Sequence, residues 1–308
     1  MKIEEFKGYI IKKEDLNYLK KATAEMGEIN TIIGNEVYSL FDNLVIDKFD
    51  KLTFLKLQFV AYRVLRNSKD QEAFKKALHL IYWLIDNAEN EIKTIVDYEI
   101  EEGLANSYCI LAEMLYGSKE FKVIPFYLKA EQFGFEKDTE LAVKYWERAY
   151  LLKPNDGNTA YDLGIHYYLN KNYYRAFDYL INAYGDIRYN NNYFTLSKED
   201  ASIFLELGQF YEQENNQKAA LLFADQKMFL CFEKAYLICK NNHWEDKKIM
   251  PYVLYNMAYT YIKGIGTKQN INKGISFIKE LDKKLAKNGE DIFKQEDPDN
   301  IIKEYYKR

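Results

Sequence analysis

The chain predicts an all-α fold: an α-solenoid of antiparallel helix pairs with a helical N-terminal cap. Three observations predict it. Breakers are scarce, 14 glycines and 4 prolines in 308 residues, where roughly 7% and 5% are usual. Apolar residues recur at helical spacing along most of the chain. Two helical signatures also recur as copies. LGIHYY at 163–168 returns as LAEMLY at 111–116, LGQFYE at 207–212 and MAYTYI at 257–262. AFDYLINAY at 176–184 returns as AVKYWERAY at 142–150, an offset of 34 residues, and more loosely as MFLCFEKAY at 228–236 and GISFIKELD at 274–282. A two-helix unit cannot bury both of its apolar faces alone, so copies of it must lie alongside.

In chain order, residues 1–48 show helical periodicity at Glu14–Met26 and Thr31–Leu44, with Gly27 and Gly34 as breakers, and are expected to cap the first repeat. Lys51–Leu65 is a strongly apolar helix carrying Phe54, Leu55, Leu57, Phe59, Val60, Tyr62 and Val64. Ser68 to Gln71 has capping-box form, Ser68 at the N-cap and Gln71 at the third helical position. It starts a helix with Ala73, Phe74, Ala77, Leu80, Ile81 and Leu84 on one side. A third helix is expected from about Glu91 towards Gly117, with Gly103 as a candidate break. Pro125 suits the first turn of a short extra helix ending at Gly134.

The stretch Asn158–Tyr184 organises the rest. Ala160, Leu163, Gly164 and Tyr167 form one buried helical face, and Ala176, Phe177, Leu180 and Ala183 form that of the returning helix. Asn158 is the expected N-cap, and the turn falls at Asn170–Asn172. Gly164 is expected where two helices approach too closely for a Cβ. Gly185–Leu196 reads as a polar loop and Ser197–Asp200 as the start of the next hairpin. Between Gln213 and Asp225 the third copy is longer than the second by about eight residues, and such insertions map to one face of a repeat array. Asp297 and Pro298 start a terminal helix, Asp299–Tyr306, with the polar outer side of a cap. The expected organisation is 1–100 as an N-terminal helical region, 101–285 as the repeats and 286–308 as the C-terminal cap.

Residues 142–184 resemble tetratricopeptide repeats, carrying Leu163, Gly164, Tyr167, Ala176 and Ala183, with Pro154 closing the unit before and the 34-residue period of that family. Residues 257–281 resemble the Sel-like repeat through Tyr261, Gly264, Gly266, Lys268, Asn270, Lys273 and Gly274, although that family prefers Asp at 270 and Ala at 274. Gly134, Lys137, Asp138, Ala142, Trp146 and Ala149 follow the same pattern, and the resemblance spans roughly residues 105–285. It implies a solenoid whose first helices line a concave groove. If Leu163, Gly164 and Tyr167 face the partner helix, the neighbouring stripe Tyr161, Ile165 and Tyr168 looks into that groove. The equivalent stripes are Cys109, Glu113 and Tyr116; Leu205, Gln209 and Glu212; and Tyr255, Tyr259 and Ile262. Aromatic anchors there, with Glu113, Gln209 and Glu212 as polar selectors, would hold another protein or a peptide.

Composition narrows the alternatives. The net charge is −4 with both signs interspersed, so the basic stripe that nucleic acid requires is missing. No apolar run approaches the 18 residues or more of a membrane span, and residues 1–16 carry charges throughout rather than a signal-peptide core. A cytoplasmic protein is therefore expected. Cys109, Cys231 and Cys239 show no metal or redox spacing and read as small apolar helix residues. His79, His166 and His243 form no HxxxH or HExxH. Gly264 and Gly266 are explained by the repeat turn, the acidic cluster Glu99, Glu101 and Glu102 reads as a solvated face, and Lys294–Asn300 reads as a polar linker. No catalytic constellation, cofactor or metal is expected. The 28 tyrosines and 19 phenylalanines exceed what the repeat pattern needs, and the surplus suits a binding surface. The expected function is a non-catalytic adapter. The alternatives are a stoichiometric inhibitor such as a toxin-immunity protein, a peptide-sensing regulator, or, from another class, a degenerate enzymatic or DNA-binding domain in the first 100 residues.

Overall fold

Stretches with helical periodicity become helices in the computed structural model, which describes residues 1–25, 51–91, 97–116, 130–185, 198–216, 224–241 and 249–288. A short 3-10 turn, Ile3–Phe6, precedes α1 (Lys13–Glu25), α2 (Lys51–Asn67), α3 (Gln71–Glu91) and α4 (Tyr98–Tyr116). There follow α5 (Thr139–Leu152), α6 (Gly157–Leu169), α7 (Tyr173–Tyr184), α8 (Lys198–Asn216), α9 (Ala224–Asn241), α10 (Met250–Lys263) and α11 (Ile271–Asn288). Among the described residues the protein is all-α, without a strand. The expected helix at Thr31–Leu44, the turn at Pro125, the loop after Gly185, the insertion at 217–223 and the terminal helix at 299–306 lie outside them.

Aspartate and asparagine side chains set where the helices begin, because a carboxylate or amide oxygen satisfies a backbone N–H that the first turn leaves unpaired. Asp138 accepts from Leu141 N–H at 2.9 Å, and Asn270 accepts from Lys273 N–H at 3.0 Å. Two expectations are corrected here. The cap of α3 is Asp70, whose Oδ1 takes the Glu72 N–H at 2.9 Å, while Ser68 Oγ accepts the Asp70 N–H at 3.0 Å. The cap of α6 is Asp156 rather than Asn158: its Oδ2 accepts both the N–H and the hydroxyl of Thr159, at 2.9 and 2.6 Å. A third correction concerns Glu91, which ends α3. The next helix starts at Tyr98 behind Asp97, whose Oδ1 accepts from Glu99 N–H at 3.0 Å.

The chain divides into two compact units, Met1–Tyr167 with Asp178–Tyr184, and Tyr168–Phe177 with Gly185–Arg308. In the first, α1 packs on α2 and α3, these pack on each other and on α4, and α4 packs on α5. Residues on either side of 100 thus share one unit. The N-terminal strap is pinned to the chain just before α5. Met1 N donates to Gly134 O at 2.9 Å, and Phe6 meets Phe135 with ring centroids 5.5 Å apart. The buried hydroxyls of Tyr82 on α3 and Tyr145 on α5 lie 3.1 Å apart. Glu89 gathers Tyr108 O–H and Arg148 Nη2 at 2.8 Å each. The acidic residues at the start of α4 are not a bare solvated face, since Lys51 pairs with Glu99 at 2.5 Å and Lys153 pairs with Glu102. In the second unit α8 packs on α9, α9 on α10 and α10 on α11.

Small residues let paired helices approach. A Cβ on Gly164 would lie 2.6 Å from Leu180 Cγ and 3.2 Å from the Leu180 backbone N, so α6 and α7 meet where only hydrogen fits. Gly208 of α8 stands in the same way against Phe232 of α9. The two pairs occupy equivalent places in the repeated signatures, Gly164 and Gly208 second in LGIHYY and LGQFYE, Leu180 and Phe232 fifth in AFDYLINAY and MFLCFEKAY. Ala149, Ala183 and Ala235, eighth in their copies, are 1%, 3% and 0% exposed. Gly103 does not break α4: the helix runs through it, with the Phe54 ring occupying the space a Cβ would need.

Candidate functional site

Helix α4 presents Cys109, Glu113 and Tyr116 at i, i+4 and i+7, and α6 presents Thr159, Asp162 and His166 at i, i+3 and i+7, so each trio lies on one helical face. The two faces meet. Cys109 Sγ is 3.0 Å from Thr159 Oγ1, and Tyr116 Oη is 3.0 Å from His166 Nδ1. Both pairs are 50 residues apart in sequence, so α4 and α6 run parallel and in register. With a rise of about 1.5 Å per residue the two contacts lie about 10 Å apart along the seam. Glu113 and Asp162 occupy the interval between them.

The Thr159 hydroxyl donates to Asp156, so it accepts from Cys109, whose thiol is the donor. Burial pushes the Cys109 thiol up, and the charges of Asp156, Glu113 and Asp162 add to this. A thiol held protonated in this way is no nucleophile. Burial raises Glu113 to about 7, against the pull of the Arg66 guanidinium on α2. Asp162 is raised well above the usual carboxylate range by burial and then by the charges of Glu113 and Asp156. Burial lowers His166, while Glu147 on α5 works the other way, so the imidazole is neutral at pH 7. The seam is therefore a half-buried acid pair with both carboxyls shifted upward, bracketed by two neutral hydrogen bonds. Chemically it can hold a proton near neutral pH.

The ten residues expected to line a groove are distributed over both units. Glu113 and Tyr161 of the first are half-buried, and the Tyr161 ring meets Tyr184 edge-on at 6.0 Å. Tyr168, Gln209, Glu212, Tyr255 and Tyr259 of the second are also half-buried, with the Tyr168 hydroxyl donating to Glu206. Three are packed inside instead. Tyr116 and Ile165 are each 7% exposed and Ile262 is 1% exposed, so they are corrected from groove lining to core. Tyr116 lies against Trp146 at 4.8 Å. Ile262 Cγ1 fills the space beside Gly274, 2.5 Å from where a Cβ would stand. Much of the aromatic surplus is likewise spent on rings that pack on rings. Tyr167 stacks on Tyr179 at 5.6 Å, and Tyr173, Tyr174 and Tyr211 cluster around Phe210 at 5.0–5.2 Å.

Asp156, Thr159, Asp162 and His166 complete the seam although none is named by the groove stripes. One signal for them was available: Asp162 and His166 are the polar positions in the apolar run 160–168. Among the described residues no group of three His, Cys, Asp or Glu side chains could hold a metal ion, and no helix is long and apolar enough to cross a membrane. Compared with models of known families, with curated proteins and with solved structures, the chain finds no match.

Proposed function

We propose that the chain is a non-catalytic binding scaffold, a solenoid of tetratricopeptide-like and Sel-like helix pairs that holds a protein segment or peptide along the first helices of its pairs. The observation that carries this reading is the register of α4 and α6. First helices of successive pairs that run parallel and side by side offer a ligand a continuous ribbed surface, to which α6 adds the half-buried Tyr161. The equivalence of Gly164 with Leu180 and Gly208 with Phe232 adds support, since it repeats one close helix–helix contact in successive pairs. Tyrosines on such a surface give large contact area and a hydrogen bond at low entropic cost.

The test is an affinity capture from native lysate with the full chain beside a Tyr161→Ala/Tyr259→Ala variant, one half-buried tyrosine from each unit, after circular dichroism has shown that both fold. A stoichiometric partner retained by the parent and lost by the variant supports the reading. A partner bound equally by both contradicts the assignment of these faces.

A further inference from the structure

Two carboxylates on the meeting faces of α4 and α6, both lying between the same two cross-helix contacts, cannot both ionise cheaply. Charge buried away from water is penalised, and like charges add to the penalty. Here the pair is clamped at both ends by Cys109–Thr159 and Tyr116–His166, each at 3.0 Å, so the helices cannot splay to let water between the acids without giving up those contacts. We propose that Glu113 and Asp162 form a proton-holding latch between α4 and α6, which closes the seam when a proton sits on the pair and loosens it when both carboxylates are charged.

The groups facing the pair come from every element around it. The Arg66 guanidinium on α2 acts on Glu113 with the opposite charge. Asp156 adds negative charge from the turn before α6, and Cys109 and Tyr116 flank it on α4. His166 closes the far end from α6, with Glu147 of α5 acting on it. The carboxylates of Asp156 and of the pair itself outweigh one guanidinium and favour a retained proton, which accords with the upward shift of both acids.

The sign of the effect follows. An acid whose folded pKa is raised keeps its proton where the unfolded chain has already released it to water, so folding takes up a proton between the two values. For Glu113 that window runs from the ordinary 4.5 to about 7. Within it the latch contributes stability at low pH and loses it as pH rises, and the raised Asp162 adds a loss of the same sign. The lowered His166 has the opposite slope, so the measurement is a difference between variants.

The experiment compares melting temperatures of the full chain, Glu113→Gln and Asp162→Asn at intervals from pH 5 to 8, with amide hydrogen exchange of α4 and α6 at the ends of the range. Relative to Glu113→Gln, which keeps the shape and cannot ionise, the parent should lose about 5 °C across the window, a shift on the scale expected for one strongly coupled group. Exchange in α4 and α6 should quicken in the parent alone, after correction for intrinsic rates. Asp162→Asn should flatten the same difference, and it carries the test should Glu113→Gln fail to fold. Curves that run parallel for parent and variants would overturn the proposal.

Discussion

Replacing Gly164 with alanine sets two opposing effects against each other. Alanine favours the helix by about 1 kcal/mol over glycine. Its methyl, however, would stand 2.6 Å from Leu180 Cγ, 2.7 Å from Leu180 Cδ2 and 3.2 Å from the Leu180 backbone N. A rotamer change moves the first two atoms but not the third, so α6 and α7 must separate. Overpacking of that kind costs about 1–3 kcal/mol, and the net expectation for Gly164→Ala is a loss of about 1 kcal/mol. Leu180 is fully buried, so Leu180→Ala alone should cost about 2–5 kcal/mol. In the double variant the new methyl enters the space Leu180 has left. There Gly164→Ala should become close to neutral, because the Cγ and Cδ2 clashes are gone while the 3.2 Å approach to the backbone N of residue 180 remains, a coupling of about 1 kcal/mol, within the range for residues in contact. Urea denaturation followed by circular dichroism and analysed as a double-mutant cycle reads this directly, provided the m-value is unchanged. Additive effects would refute the close packing, and so would a stabilising single Gly164→Ala.

The caps and polar bridges give further tests. Asp156→Ala should cost about 1 kcal/mol, because α6 loses its cap and Thr159 loses its acceptor. Asn158→Ala should stay within about 0.5 kcal/mol, and equal losses would return the cap to Asn158. Glu89→Ala should cost more than Arg148→Ala. The first strands both Tyr108 and Arg148, while the second removes one half-exposed ion pair of about 0–1 kcal/mol. Thermal melts of the two variants suffice to rank them.

Helix content was legible because its signal is local: apolar residues at i, i+3 and i+4 announce a buried face wherever the neighbouring helix lies. The extents of α1 and α2 follow from that alone. Caps were less legible, because Ser68 with Gln71 and Asn158 all have the right chemistry and only backbone geometry decides which oxygen reaches an N–H. At position 103 propensity argued for a break, but the Phe54 ring needs the missing Cβ, and tertiary packing overrides the preference. The seam was half legible. Helical spacing placed Cys109, Glu113 and Tyr116 on one face but could not say what faces them, since that depends on the register of a helix 50 residues away. Tyr116, Ile165 and Ile262 failed as groove residues for the same reason. A stripe at the edge of a packing face turns inward wherever the next helix closes over it, as α11 does over Ile262.

The parallel register of α4 and α6 underlies both the scaffold reading and the latch, and a crosslink tests it most directly. In a chain with Cys231 and Cys239 replaced by alanine, Thr159→Cys puts a second thiol where an oxygen now lies 3.0 Å from Cys109 Sγ. Oxidation at alkaline pH, where the thiols ionise, followed by peptide mass spectrometry should find the 109–159 disulfide. His166→Cys in the same background, about 10 Å further along the helix, should leave Cys109 reduced. A disulfide from His166→Cys, or none from Thr159→Cys, would contradict the register.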